Sequence, residues 1–232
     1  MRHLFVAMLL APATASASPY DAMIDSAAYR HGVDPIVMRT LVAVETQKLP
    51  WSFNVDGEGF RFDSASVAIR ALWQISHTNW MVKIRPTNGD TIRQLFPNQA
   101  SARAYFDSYR RSVQGAPGAA VILRTDPEKS VGRGEARIRQ LWMLNTDIGI
   151  AQINYRFHGR NVANVQKWFD PAFNLDYAAS YLAKLKAKHG SDITAAGYYH
   201  SKNKKDRDIY MAKFMEAYRK EKSGGYSPIA VR

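Results

Sequence analysis

Apolar residues recur at helical spacing in several segments of the chain. The clearest segment opens at Asp34-Pro35, because an aspartate carboxylate caps a helix and proline is tolerated at the first helical position. At 3.6 residues per turn, Met38, Leu41 and Glu45 then share one side, and Pro50 ends the run. The pattern therefore predicts a helix from Pro35 that carries an acid on its apolar stripe.

The same signals predict further helices. One covers residues 20–31 and ends at Gly32, and another opens at Asp170-Pro171 and ends at Gly190. A last helix is expected over residues 206–222, and shorter helical stretches within 66–75 and 91–111.

Residues 51–62 have a different pattern: glycines stand at positions 57 and 59, and aromatic residues typical of strands lie on both sides of them. This favours a small hairpin-like loop, and we expect any β-structure to be confined to it. The pattern as a whole predicts a mainly α fold in which residues 63–144 form a basic, helical insertion.

The first residues have the pattern of an export signal. Arg2 and His3 precede an apolar run over residues 4–13, and an A-x-A cleavage pattern follows at residues 15–17. We therefore expect a signal peptide over 1–17, a domain over 18–222, a flexible tail over 223–232 and a periplasmic location. No later segment predicts a membrane span, and the absence of cysteine means that the core, not disulfides, must hold the domain.

The chain is strongly basic, with a formal net charge of +12. Residues 61–140 contain 13 Lys or Arg against 6 Asp or Glu, a surplus of 7. Basic proteins favour polyanions. Export makes the cell wall a more accessible polyanion than nucleic acid, and the sequence contains no groove-reading motif. The alternative is that the charges only solvate a helical surface.

Glu45 is the leading candidate for chemistry. Burial and the nearby negative end of the helix dipole both disfavour an ionised carboxylate, which is the condition a general acid requires. The alternative is an ordinary surface glutamate on a slightly rotated helix.

Four segments in order resemble the soluble lytic transglycosylase family, which has a goose-lysozyme-like catalytic domain and cleaves the glycan strand of peptidoglycan. They are VAVETQ with Glu45 and Thr46, NTDIGIAQIN with Gly149, Gln152 and Asn154, NLDYAASYL with Asn174, and AAGYYHSK with Tyr199.

The resemblance covers residues 20–62 and 143–218, and LPWSFNVDGEGFRF is similar to the branch found beside conjugation and type IV secretion genes. The chain departs from the family pattern at Ala151, Ala178, His200 and Ser201-Lys202, which affects substrate contacts more than the chemistry.

The resemblance implies a lysozyme-like helical domain that cleaves the β-1,4 bond between N-acetylmuramic acid and N-acetylglucosamine. Glu45 would act first as acid and then as base, leaving a 1,6-anhydromuramic end. Tyr199 would orient Glu45, Thr46 keeps the hydroxyl that follows the glutamate, and Gln152 and Asn154 would bind sugar hydroxyls and acetamido groups. The alternative role of Tyr199 is that of an aromatic residue in the core. The alternative role of Gln152 and Asn154 is to stabilise a turn or cap a helix.

We expect no cofactor and no metal, since the six histidines show no H-x-x-x-H or H-E-x-x-H spacing. We expect the protein to be a monomer whose partners are glycan strands and a secretion or conjugation apparatus. We do not expect it to bind nucleic acid.

Two rival functions remain open. A hydrolytic muramidase would need a second carboxylate, for which Asp56, Glu58 and Asp147 are candidates. A non-catalytic wall-binding assembly protein would use only the basic region.

Overall fold

The computed structural model describes residues 18–126 and 128–224, so the predicted signal peptide and residues 225–232 of the predicted tail lie outside the described residues. About 51% of the described residues are helical and 16% are strand, in two four-stranded sheets. The fold is mixed α/β, and the prediction of a mainly α, lysozyme-like helical domain with only a small β-hairpin-like loop was wrong.

The strands lie in the middle of the described chain, where two α-helices interrupt them, and helices lie on both sides of this region. The α-helices are α1 Asp21–Arg30, α2 Pro35–Thr46, α3 Ala65–His77, α4 Gln99–Ser112, α5 Val165–Trp168, α6 Pro171–His189, α7 Asp192–His200 and α8 Lys204–Ser223, and a π-helix covers Tyr155–Gly159. The strands are β1 Ser52–Val55, β2 Glu58–Arg61, β3 Trp80–Arg85, β4 Ile92–Phe96, β5 Ile122–Arg124, β6 Glu135–Gln140, β7 Thr146–Ile148 and β8 Ile153–Asn154.

The described residues divide into two compact units, one of residues 18–44 together with 179–224, and one of residues 45–178. In the first unit, the Asp34 carboxylate accepts from the backbone N–H of Ile36 at 2.7 Å, which confirms the predicted start of α2. The Arg39 guanidinium holds Asp25 through two hydrogen bonds of 2.6 Å, so this buried carboxylate is neutralised where α1 and α2 meet. None of the helices in the described ranges is both long enough and apolar enough to cross a bilayer.

The second unit contains a first sheet, which we call sheet A, in the order β2-β1-β7-β8 with every pair antiparallel. The predicted hairpin forms its β1–β2 edge, and its turn places Asp56 and Gly57 at φ values of 53° and 89°. The β1 strand also pairs with β7, with Phe53 opposite Ile148. The hairpin is therefore joined to the segment around Gly149.

Residues 63–144 contain a second sheet, sheet B, in the order β4-β3-β6-β5, so the predicted helical insertion was wrong as well. Helix α4 covers one face of this sheet. The fully buried residues between them form a small core of its own: Val82, Ile84, Ala102, Phe106, Ala120 and Ala136.

The opposite face of sheet B is cationic. Lys83 on β3 lies directly across from Arg93 on β4 and from Arg137 on β6. Like charges at opposite positions destabilise a sheet unless an anion compensates them. Glu58 of the β1–β2 hairpin in sheet A is the anion for Lys83 and Arg93, and Asp126 is the anion for Arg137.

Candidate active site

Glu45 is the penultimate residue of α2, one residue before the helix ends. It is half-buried, whereas Leu41 and Val42 in the preceding turn are fully buried. Beyond the helix, Gln47 and Lys48 both adopt left-handed backbone conformations, at φ values of 59° and 62°. Such conformations are rare for residues other than glycine, and two in succession turn the chain sharply away from the glutamate.

Thr46 connects the end of this helix to the segment that contains GIAQIN. Its side chain is buried, and its hydroxyl donates a 2.7 Å hydrogen bond to the carbonyl oxygen of Ile150. Glu45 and the second family-like segment, far apart in sequence, are therefore held together in one unit.

Gly149 forms the tight turn of that segment, with φ at +81°. Its backbone N–H donates to the carbonyl of Ser52 at 2.9 Å. An added Cβ would lie 2.5 Å from the carbonyl oxygen of Trp168 and would also collide with the Asn174 amide. Only glycine fits, because both the backbone angle and the space exclude a side chain.

Asn174 holds this turn from the other side and is completely buried. Its amide nitrogen donates to the carbonyls of Ile148 and Trp168, at 2.9 and 3.0 Å, and its oxygen accepts from the backbone N–H of Ala151 at 2.9 Å. The third family-like segment thus contributes a positioning residue, whose role its motif does not indicate.

Gln152 adopts a left-handed conformation, with φ at 50°. Its amide nitrogen donates to the carbonyl of Gly149 at 2.9 Å and approaches that of Ser52 at 3.4 Å. This side chain therefore braces the turn, as the alternative interpretation of turn chemistry expects. Its predicted contact with sugar stays a prediction.

Asn154 ends β8 and caps the π-helix that follows. Its amide oxygen accepts from the backbone N–H of Phe157 at 3.2 Å, and its amide nitrogen donates to the Asp147 carboxylate at 2.8 Å. A π-helix is uncommon and often marks a functional site. The predicted sugar contact of Asn154 also stays a prediction.

Tyr199 belongs to the other compact unit, on α7, where its ring lies 5.6 Å from that of Tyr181. Burial raises the pKa of Tyr181, so this ring pair lies in a partly desolvated environment. The predicted hydrogen bond between Tyr199 and Glu45 stays a prediction.

The acids of the hairpin form an ion-pair cluster with the cationic face of sheet B. Glu58 is 3% exposed and accepts from Lys83 at 2.9 Å, from Arg93 at 3.2 Å and from Arg139 at 3.2 Å. Asp56 accepts from Arg139 at 2.6 Å and also pairs with Lys129. Sheet B is therefore tied to the hairpin by two buried carboxylates.

These contacts set the ionisation of both acids. Burial acts to raise the pKa of Glu58, but the hydrogen bonds and charges of Lys83 and Arg139 outweigh it, so the pKa lies below its ordinary value. Burial likewise opposes ionisation of Asp56, but Lys129, the backbone N–H of Trp142 and Arg139 lower its pKa. Both groups are stable carboxylates, and ion-paired carboxylates of this kind are weak bases.

Among the described residues, no three His, Asp or Glu side chains come together as a metal site. The chain matches no family model, and comparisons with curated proteins and with solved structures gave no significant match.

Proposed function

We propose that this protein is a lytic transglycosylase that cleaves the β-1,4 bond between N-acetylmuramic acid and N-acetylglucosamine in peptidoglycan. The observation that carries the proposal is the hydrogen bond from Thr46 to Ile150. It joins the last turn of the helix that carries the Glu45 acid to the glycine turn of GIAQIN, and these are the first two of the four family-like segments.

Glu45 supplies the proton chemistry. As an acid, it donates its proton to the glycosidic oxygen while the bond from that oxygen to C1 of the muramic sugar breaks, and the acetamido oxygen of the same sugar bonds to C1. As a base, the resulting carboxylate takes the proton of the sugar's 6-hydroxyl, whose oxygen displaces the acetamido oxygen at C1. The product is a 1,6-anhydro ring, and no water is consumed.

The ion pairs of the hairpin support a mechanism with a single carboxylate. Hydrolysis by inversion would require a second carboxylate to activate water. Asp56 and Glu58 are engaged by three cations from sheet B and by Lys129, and their lowered pKa values weaken them as bases. Asp147, half-buried beside Asn154, remains the residue on which a hydrolytic alternative depends.

The setting of the enzyme is part of the proposal. The pattern of residues 1–17 supports export to the periplasm, where peptidoglycan is the accessible glycan. The likeness of residues 49–62 to the branch found with conjugation and type IV secretion genes supports local opening of the wall for such an apparatus.

Mass analysis of muropeptides released from purified peptidoglycan tests the reaction. We expect products with 1,6-anhydro ends, lighter by one water than hydrolytic products. The Glu45→Gln variant should release nothing while keeping the circular dichroism spectrum of the wild type, because the amide is nearly isosteric and cannot donate the proton.

The Asp147→Asn variant is the matched control. It should retain anhydro products, since the proposed mechanism assigns Asp147 no proton transfer. Reducing ends that disappear in Asp147→Asn would instead establish a hydrolytic muramidase, and undiminished lysis by Glu45→Gln would refute the catalytic role of Glu45.

A further inference from the structure

Two aromatic rings and a guanidinium group form an exposed cluster next to the GIAQIN segment. Trp142 is 49% exposed and Phe157 is 72% exposed. The guanidinium carbon of Arg156 lies 4.9 Å from the centroid of the Trp142 ring and 5.3 Å from that of Phe157. We call these three side chains the aromatic platform.

Exposure of this much aromatic surface is unfavourable in water, so it calls for an explanation. The rings do not lie on a loose tail. Trp142 is in the connection between β6 and β7, and Phe157 is in the π-helix that follows β8.

A chain of hydrogen bonds through Asn154 holds the two sides of the platform together. The backbone N–H of Asn145 donates to the carbonyl of Trp142 at 2.9 Å, and the Asn154 amide approaches the Asn145 side-chain oxygen at 3.4 Å. The Asn154 oxygen then accepts from the backbone N–H of Phe157 at 3.2 Å. The platform is thus anchored to a residue of the family-like segment.

The guanidinium of Arg156 lies against aromatic rings. In residues 18–126 and 128–224, no carboxylate lies within ion-pair distance of its guanidinium, which contacts two ring faces instead. Its planar group of N–H donors is exposed and suited to a carboxylate.

We propose that the aromatic platform is a binding subsite for a glycan strand that carries carboxylates. The C–H faces of pyranose rings pack on Trp142 and Phe157, and Arg156 binds a carboxylate of the lactyl group or of the peptide attached to it. Because the two rings are already fixed in place, little conformational entropy is lost when a sugar stacks on them. The charge of Arg156 favours muramic sugars, which carry a carboxylate, over neutral sugars. This inference rests on the proposed function, because it assigns a subsite for the same substrate.

Binding measurements in the Glu45→Gln background test the subsite without cleavage. Calorimetry would use two probes, a neutral chito-oligosaccharide and a muropeptide oligosaccharide with free carboxylates. Trp142→Ala should weaken the binding of both probes about tenfold, a factor that corresponds to about 1.4 kcal/mol. Arg156→Gln should weaken only the binding of the muropeptide probe.

Two control variants test whether removing any exposed tryptophan or arginine has the same effect. Trp73 is also a highly exposed tryptophan, whose ring is tilted against that of His77 on α3, and Arg160 is an exposed arginine just beyond the π-helix. Trp73→Ala and Arg160→Gln should leave both affinities unchanged. Circular dichroism and thermal melting of each variant verify that the fold is retained.

The outcomes separate this inference from the proposed function. Unchanged affinities in folded Trp142→Ala and Phe157→Ala variants, alongside anhydro products from the wild type, would overturn the subsite alone. If Trp142→Ala loses glycan binding while the wild type releases no cleavage products, the result would support the subsite and refute the transglycosylase. Equal loss of the two probes in Arg156→Gln would overturn the assignment of a carboxylate to Arg156.

Discussion

The hydroxyl of Thr46 donates a 2.7 Å hydrogen bond to the carbonyl of Ile150, across 104 residues of sequence. Both groups are buried, so the bond is shielded from competition with water. It fixes the last turn of the Glu45 helix against the Gly149 turn, and the proposed catalytic arrangement depends on it.

Replacement of Thr46 by valine should lower both stability and cleavage. Valine keeps the shape but leaves the Ile150 carbonyl buried without its donor, which costs about 2 kcal/mol in the free energy of unfolding. Urea denaturation measures this cost, and muropeptide release measures the loss of activity. Thr46→Ser keeps the hydroxyl and should preserve most of the activity, so equal activity of the two variants would show that the bond is dispensable.

A side chain at Gly149 should be tolerated far less than one at Gly89. Both glycines have φ near +80° to +90°, but an added Cβ meets nothing within 4 Å at Gly89 and collides with Asn174 and Trp168 at Gly149. We expect Gly149→Ala to lower the free energy of unfolding by roughly 3 kcal/mol and Gly89→Ala by about 1 kcal/mol. Chemical denaturation of the two variants compares them directly, and equal losses would mean that backbone strain alone matters.

Removal of the Glu58 charge should destabilise the second unit. Glu58→Gln leaves Lys83, Arg93 and Arg139 close together without their shared anion, and loss of one partner from a buried ion pair costs about 3 kcal/mol. Thermal melting provides the measurement. Glu216→Gln, which breaks an exposed pair with Lys220, is the control and should not change the melting temperature measurably. A similar melting temperature for Glu58→Gln and the wild type would contradict the structural role of the cluster.

The same cluster predicts a dependence of stability on pH. The pKa values of Asp56 and Glu58 are lowered from ordinary values of 3.8 and 4.5, so their stabilisation is fully present above about pH 4.5 and is lost as pH falls through the lowered values. Melting temperatures of the wild type and of an Asp56→Asn/Glu58→Gln variant should differ near pH 7 and converge only after pH has fallen below the lowered pKa values, where the wild-type acids are protonated too. A difference that stayed constant with pH would refute this link.

Sheet B illustrates what sequence reasoning missed. A period-two signal is present in the sequence, because Val82 and Ile84 on β3 alternate with Lys83 and Arg85. It was hidden by the basic residues on the other face, which suggested a solvated helix. Lys83, Arg93 and Arg139 are compensated by Glu58 and Asp56 of the β1–β2 hairpin, which belongs to the other sheet.

Some residues of the candidate site could be identified from local sequence motifs, whereas the roles of others depend on partners that are distant in the sequence. Glu45, Gly149 and Asn154 were identified from sequence, but the roles of Asn174 as a support for the Gly149 turn and of Trp142 as part of the platform were not. Their partners lie in other segments, and no spacing rule relates them.

The sequence by itself determined the helix starts at Asp34-Pro35 and Asp170-Pro171 and the hairpin turn at Gly57, because caps and turns depend on hydrogen bonds within about three residues. The tertiary structure alone decided that residues 63–144 form a sheet and that its cationic face compensates the hairpin acids. Strand pairing and buried ion pairs join residues distant in the chain, and their free energy depends on the burial that the complete fold creates.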